Sequence, residues 1–156
     1  MKIVDLLGRD SICLNGKASG KMDVIDVMVS LMEKGGHLSD TKAYKQAVLK
    51  REAEGTTGIG EGVAIPHAKT NAVLNPGLAA MTLPDGVDFE SLDGHPVRLV
   101  FMIAAPDSKE NVHLEVLSRL SVLLMDQRFR EHLLHAKSPE AFLKVIDLAE
   151  RAKFSE

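Results

Sequence analysis

The chain has 156 residues, of which 45% are hydrophobic, and its formal net charge is −3. That length supports one domain with a substantial core, and the lack of a basic excess argues against nucleic acid as a partner. The single cysteine, Cys13, excludes an internal disulfide framework and fits a reducing compartment, where we expect it to fill the first strand.

The amino-terminal segment does not have the pattern of a secretory signal, because an acid interrupts its apolar residues and no small-residue cleavage site follows. The longest apolar run, residues 99–105, is well short of the roughly 20 residues that cross a bilayer. We therefore expect a cytoplasmic location and no direct membrane insertion. The sequence leaves open whether the chain is a domain of a larger permease.

Two helices are predicted in the first third of the chain. Apolar residues recur at spacings of three and four over residues 21–34, which predicts an amphipathic helix. A second helix is predicted to begin after a cap at Ser39 or Asp40 and to end at Glu54. Its last turn would carry Arg51 towards the glycine-rich segment that follows.

The middle of the chain is predicted to form strands. They cover residues 63–65, 78–83 and 97–104, with turns at 84–86 and 93–94. Pro66 favours extended backbone before it, so His67 is expected at the exit of the first of these strands. The last strand is almost continuously apolar, which is typical of a central strand covered on both faces.

The last third of the chain is predicted to be helical. The helices cover about residues 111–125 and 127–135, and a third begins at Ser138-Pro139, where serine caps and proline takes the first position. Strands that alternate with helices predict a single α/β domain.

Residues 51–70 combine an arginine, a glycine-rich turn and a histidine that follows proline. A lone histidine in this position is usually a turn residue. Imidazole is nevertheless partly neutral near pH 7, as a nucleophile towards a phosphoryl group must be, so His67 is the first candidate. The glycines let the backbone approach an anion, and Arg51 and the N–H groups of 56–60 could bind its oxygens.

His113 lies in the first turn of a predicted helix and has two possible roles. It could simply complete the helix start as a partly buried side chain. Because the positive end of the helix dipole disfavours imidazolium, it could instead remain neutral and donate a hydrogen bond to a phosphoryl oxygen.

The remaining histidines are predicted to be surface residues. His132 and His135 are three apart on a short helix, but no Cys pair or H-E-x-x-H pattern supplies the further ligands that zinc needs. A G-x-S-x-G elbow and a P-loop are also missing from the sequence. We therefore expect no metal, no nucleotide and no other cofactor.

Four motifs identify a family resemblance: R-E-x(3)-T-T-G-I-G-E-G-V-A-I-P-H-A-K-T, S-L-D-G-x-P-V, F-M-I-A-A-P-D and H-L-E-V-L-S-R-L-S-x-L-L. The chain resembles the enzyme IIA domain of the fructose and mannitol class of the bacterial phosphotransferase system, and within it the fructose type. The resemblance covers residues 1–156, with a core of about 3–150. It implies a mixed β-sheet flanked by helices on both faces.

The resemblance also implies a mechanism and partners. HPr, or an HPr-like domain, would phosphorylate His67, which would pass the phosphoryl group to a cysteine of an EIIB domain. That domain could be fused to or encoded beside an EIIC membrane component. Arg51 and His113 would assist at the phosphoryl site, and backbone contacts would come from Thr56, Thr57 and Gly58.

Two other functions are compatible with the same residues. Relatives of the domain serve a nitrogen phosphorelay, in which phosphorylation of the histidine changes partner binding and no sugar is transported. A purely structural or interaction domain would keep the fold and leave His67 unphosphorylated.

Overall fold

The computed structural model describes residues 2–154, and within them it contains six helices and six strands. In chain order these are α1 (Ile3–Leu6), β1 (Leu7–Cys13), α2 (Lys21–Lys34), α3 (Thr41–Glu54), β2 (Gly58–Gly60), β3 (Val63–Ala64), β4 (His67–Thr70), β5 (Gly77–Val87), β6 (Val97–Pro106), α4 (Val112–Leu124), α5 (Gln127–Leu134) and α6 (Pro139–Lys153).

The strands form one mixed sheet. Its order is β1-β5-β6-β3-β2, and β4 pairs with the same central strand β6. β1 runs parallel to β5, β3 and β4 run parallel to β6, and the β5–β6 and β2–β3 pairs are antiparallel. The predicted central position of the strand over 97–104 is therefore confirmed.

Helices cover both faces of the sheet, as the family resemblance implied. Alternate side chains of β6 point to opposite faces because the side-chain repeat of a strand is two residues. Val100, Met102 and Ala104 pack in a core with α2 and α3. Leu99, Phe101 and Ile103 pack in a second core with α4, α5 and α6. The chain is thus a single α/β domain with a three-layer arrangement.

The predicted helices and their caps agree closely with the structure. The helix over 21–34 is α2, and Asp40 rather than Ser39 caps α3, since its carboxylate accepts from the Ala43 N–H at 3.0 Å. Ser138 caps α6 through its hydroxyl, and Pro139 takes the first helical position. Local sequence signals determine these boundaries.

The structure corrects the prediction that His67 lies at a strand exit. β3 ends at Ala64, and His67 is instead the first residue of β4. Ala64 pairs with Val100, and His67 pairs with Ile103. Three residues separate these two pairs on either side of the ladder, so β4 continues the register of β3. Pro66 interrupts the ladder because it has no N–H to donate.

A second correction concerns residues 84–86, which were predicted to form a turn. They lie inside β5, which extends to Val87. The pairing with β6 shifts between Thr82 and Val87. The extra residues of β5 form a bulge, and this bulge contains Pro84 and Gly86. Turn-type residues alone could not distinguish a bulge from a chain reversal.

The glycine-rich segment contains a strand that was not predicted. β2 and β3 form a tight antiparallel pair, and Gly62 at the turn has a φ of +75°. Gly58 instead has no room for a side chain, since a Cβ there would lie 3.0 Å from the Ser91 Cα. These two glycines are therefore needed for the backbone conformation and the packing of this segment.

The short helix α1 was not predicted from the sequence either.

We expect Gly58→Ala to destabilise the fold, because the new methyl group would lie too close to Ser91. Overpacking of this kind costs about 1–3 kcal/mol, which urea unfolding would measure. The control is Gly8→Ala, where a Cβ would meet nothing within 4 Å. Equal stability of the two variants would contradict the packing explanation.

Candidate functional site

Three elements meet at a cleft of about 480 Å³ near the start of β4. α3 supplies its last turns, β4 supplies its whole length, and α4 supplies its first turn. The lining residues are Ala47, Lys50, Arg51, Glu54, His67, Ala68, Lys69, Thr70 and His113. The fold therefore brings together the three residues that the sequence proposed as catalytic, although they are far apart in the chain.

His67 has one ring nitrogen held and one free. Its Nδ1 lies 2.9 Å from the carbonyl oxygen of Ile65. Because a carbonyl can only accept a hydrogen bond, Nδ1 must carry the proton. In neutral imidazole the Nε2 lone pair is then left free, and the ring is only partly buried. Nε2 is therefore the nitrogen of His67 that has a lone pair available to bond an incoming group.

His113 faces His67 across the cleft. The two ring centroids are 6.3 Å apart, with the planes tilted by 30°. Nδ1 of His113 is buried and has no hydrogen-bond partner among the described residues. Burial lowers the pKa of His113 below its usual range, and the charges of His67 and Lys69 lower it further. The lowered pKa favours the neutral imidazole, which can still donate one hydrogen bond.

The depressed pKa of His113 gives a stability prediction with a definite sign. As pH falls below the usual histidine value of about 6.5, the unfolded chain binds a proton before the folded chain does. His113 therefore costs the native state stability at acid pH and has no such effect above it. As the pH is lowered from 7.5 to 5.5, the unfolding free energy of His113→Gln should fall less than that of the parent chain. Urea titrations at each pH would measure the difference. Parallel losses would contradict a neutral, partly buried His113.

Arg51 lies on the last turn of α3, as predicted, and its side chain lines the cleft. Its Nη1 donates to the carbonyl oxygen of Gly55 at 2.7 Å. A guanidinium has five N–H donors, so this bond to the helix end leaves most of the fork available for an anion. The same bond also restrains the side chain near His67.

Thr56, Thr57 and Gly58 do not line the cleft. The Thr57 hydroxyl and N–H both donate to the carboxylate of Glu52, and Thr57 is buried. The Gly58 N–H donates to the Thr56 hydroxyl, which in turn donates to the carbonyl of Phe89. The Thr57 and Gly58 N–H groups are thus already bonded within the chain, and the expected backbone contacts to a phosphoryl group stay a prediction.

Glu52 was missed by the sequence analysis although it supports the site. This buried carboxylate joins α3 to the Thr57 loop, and Lys21 lies 2.9 Å from it. Arg51 immediately precedes Glu52 in the chain, so the network fixes the turn that carries the guanidinium. No pattern in the sequence indicates that this acid is buried.

Lys69 was also missed by the sequence analysis. It could have been found from its position two residues after His67 on a strand.

Residues 2–154 contain neither a cluster of metal-ligating side chains nor a membrane-spanning helix. No group of three or more His, Cys, Asp or Glu in this part of the chain is arranged to hold a metal ion. Across the same residues, no helix has both the length and the apolar character needed to cross a membrane. The expectation that the site uses no metal stays a prediction.

A family of known proteins matches this arrangement. The profile of the phosphoenolpyruvate-dependent sugar phosphotransferase system, EIIA 2, matches residues 5–148, which is most of the chain. The chain belongs to this EIIA 2 family. The resemblance drawn from the sequence motifs is therefore confirmed, and the chain is an EIIA component of the phosphotransferase class.

Relatives of this EIIA domain include fructose-specific proteins. It is 53% identical over 147 residues to the PTS system fructose-specific EIIABC component of Bacillus subtilis strain 168, covering 94% of the chain and 23% of that protein. It is 39% identical over 135 residues to the PTS system fructose-specific EIIA component of Haloferax volcanii, covering 86% and 88%. The chain thus spans less than a quarter of the first of these relatives.

Solved structures support the same fold. The nitrogen regulatory protein IIA-Ntr from Neisseria meningitidis superposes on the EIIA domain with a TM-score of 0.85 at 29% identity. The alignment covers 92% of this chain and 98% of that one. Both sugar-specific and nitrogen-regulatory proteins are therefore similar to this domain.

Proposed function

We propose that the chain is the phosphocarrier of a fructose-type phosphotransferase system. It accepts a phosphoryl group from phosphorylated HPr, or an HPr-like domain, on His67 and passes it to a cysteine of an EIIB domain. Arg51 binds the phosphoryl oxygens, and neutral His113 donates to one of them. The transfer takes place in the cytoplasm, and the phosphotransferase domain comprises the whole chain, residues 1–156.

The orientation of His67 carries this proposal. Nδ1 is held by the Ile65 carbonyl at 2.9 Å, so the lone pair of Nε2 is free in the cleft that Arg51 and His113 also line. An unprotonated ring nitrogen in an open cleft suits a carrier that must meet two protein partners in turn. A site enclosed by its own chain would not allow that exchange.

The chemistry needs no group beyond the donor. Nε2 attacks the phosphorus of the donor phosphohistidine, so one P–N bond forms as another breaks and the donor imidazole leaves. In the second step a cysteine thiolate attacks, a P–S bond forms, and His67 leaves as neutral imidazole. Catalysis then consists of positioning the phosphoryl group and stabilising its negative charge.

The fructose-specific relatives support the partners. The Bacillus subtilis relative is named as an EIIABC component, in which EIIA, EIIB and EIIC belong to one protein. For this chain we therefore propose an EIIB domain as acceptor and an EIIC component as the membrane partner, fused or encoded separately. The Haloferax volcanii relative, named as an EIIA component alone, supports the separate arrangement equally well.

A nitrogen-regulatory role is the second candidate, and the similarity to IIA-Ntr of Neisseria meningitidis favours it. Sequence identity is lower there, at 29% against 53% for the fructose-specific relative. A regulator would accept a phosphoryl group without passing it to an EIIB cysteine. Onward transfer therefore separates the two functions.

The proposal is tested by incubating the chain with enzyme I, HPr and phosphoenolpyruvate and measuring its intact mass at neutral pH. We expect one acid-labile phosphoryl group, which disappears when a fructose-type EIIB domain is added and appears on that domain. Labelling without onward transfer would support the regulatory role. Absence of labelling would overturn the phosphocarrier function.

A further inference from the structure

We propose that Lys69 is a further phosphoryl-binding residue, held ready by Asn111 until His67 is phosphorylated. In this arrangement Lys69 Nζ donates to Asn111 in the unphosphorylated chain and moves to a phosphoryl oxygen on His67 afterwards. No covalent bond changes in this step, since one hydrogen-bond acceptor replaces another. The inference rests on the proposed function, because it deepens the description of the same site.

The first observation is the placement of Lys69 on β4. Side chains two residues apart on a strand lie on the same face, so Lys69 shares a face with His67. The intervening Ala68 also contributes to the cleft lining, but it packs against the core and only 6% of it is exposed. Both His67 and Lys69 line the cleft. The ammonium is thus carried by the same rigid element as the nucleophile.

The second observation is the bond that holds the ammonium. Lys69 Nζ donates to Asn111 Oδ1 at 3.3 Å. Asn111 is the N-cap of α4, a position where asparagine commonly caps its own helix, yet its side chain makes no capping bond. The amide oxygen is directed at Lys69 instead. Asn111 therefore holds Lys69 beside the helix turn that carries His113.

The third observation is the charge of the cleft. Its ionisable lining comprises Lys50, Arg51 and Glu54 on α3, His67 and Lys69 on β4, and His113 on α4. Three permanent cations thus face one carboxylate, although the chain as a whole carries a charge of −3. A phosphoryl group adds roughly 1.5 to 2 negative charges near pH 7, which this excess of cations would offset.

Lys69 and Arg51 would make different kinds of contact with the phosphoryl group. The Arg51 fork is planar and is partly engaged with the Gly55 carbonyl, so it suits a fixed contact. Lys69 has a flexible stem and a compact charge with three donors, so it can exchange acceptors and follow the oxygens as the phosphoryl group arrives and leaves.

The test uses phosphoramidate, a small phosphoryl donor, to label His67 without any protein partner. In this reaction the P–N bond of phosphoramidate breaks, ammonia leaves, and a P–Nε2 bond forms. Phosphorus NMR then follows the titration of the phosphoryl group on His67, and His67→Ala identifies signals from other histidines. Because no HPr is used, failure of labelling by phosphorylated HPr would overturn the proposed function and leave this test intact.

We expect Lys69→Met to raise the phosphoryl pKa by about one pH unit, since a contacting cation favours the dianion. Lys69→Arg should restore most of the shift, and the side-chain nitrogen signal of Lys69 should move on phosphorylation. Lys137→Met, which removes an exposed charge outside the cleft, should titrate like the parent chain.

Lys50→Met is the matched comparison, because it removes the same charge from the α3 side of the cleft. A smaller shift than that of Lys69→Met supports direct contact. The proposal is overturned if Lys69→Met titrates like the parent chain, or if Lys50→Met shifts the phosphoryl pKa equally. With phosphorylated HPr as donor, Lys69→Met should also accept the phosphoryl group about tenfold more slowly.

Discussion

His67→Ala should abolish phosphorylation of the chain by phosphorylated HPr. Of the histidines in the described chain, His67 combines a ring nitrogen held by a backbone carbonyl with a position in the cleft beside Arg51 and His113. Removing the ring removes the proposed nucleophile. Intact mass at neutral pH, followed by a brief acid treatment, measures the acid-labile label.

The control for this variant is His95→Ala, which removes an exposed histidine from the loop before β6. It should be labelled like the parent chain. Nitrogen NMR of the phosphorylated parent should place the group on Nε2, because Nδ1 donates to the Ile65 carbonyl. Undiminished labelling of His67→Ala, or a phosphoryl group on Nδ1, would refute the assignment.

Arg51→Ala should slow phosphoryl transfer to His67 by more than about tenfold. A charge-assisted hydrogen bond to a phosphoryl oxygen contributes roughly 1.5–3 kcal/mol, and the guanidinium can make such bonds with donors that Gly55 does not use. Arg51→Lys should recover only part of the rate, since it keeps the charge and loses the fork. Rapid-quench kinetics with phosphorylated HPr would measure both variants.

Arg51 could instead serve only to finish α3, because its Nη1 bonds the carbonyl just beyond the helix. Arg151→Ala is the matched control: this arginine also lies in the last turn of a helix, α6, and donates a hydrogen bond to Asp147 at the surface. Both alanine variants should lose at most about 1 kcal/mol of stability, and only Arg51→Ala should lose transfer rate. If Arg51→Ala accepts the phosphoryl group at the parental rate, Arg51 has no role in phosphoryl transfer.

Much of the fold could be predicted because its signals are local. The apolar spacing of α2, the Asp40 cap of α3 and the Ser138-Pro139 start of α6 depend on neighbouring residues alone. The central strand β6 could be recognised from its unbroken apolar run, since both of its faces are buried. The family could be recognised from motifs spread along the chain.

The errors fall where a segment's conformation depends on a distant partner. Residues 84–86 have turn composition, yet pairing with β6 makes them a bulge in β5. The expected phosphoryl contacts of Thr56, Thr57 and Gly58 stay a prediction, although the Thr57 and Gly58 N–H groups donate to Glu52 and Thr56. Nothing in the local sequence reveals that Glu52 is buried there, because its burial is produced by the packing of α3 against the sheet.

The sequence alone determined which chemistry was possible: a neutral imidazole, a guanidinium and a second histidine, each carried by an element with clear local signals. The tertiary structure decided which atoms meet. It placed the end of α3, the start of β4 and the first turn of α4 around one cleft, and it used the Ile65 carbonyl to leave Nε2 of His67 free. The physical reason is that hydrogen-bond direction and convergence in space depend on packing between segments, which residue order does not encode locally.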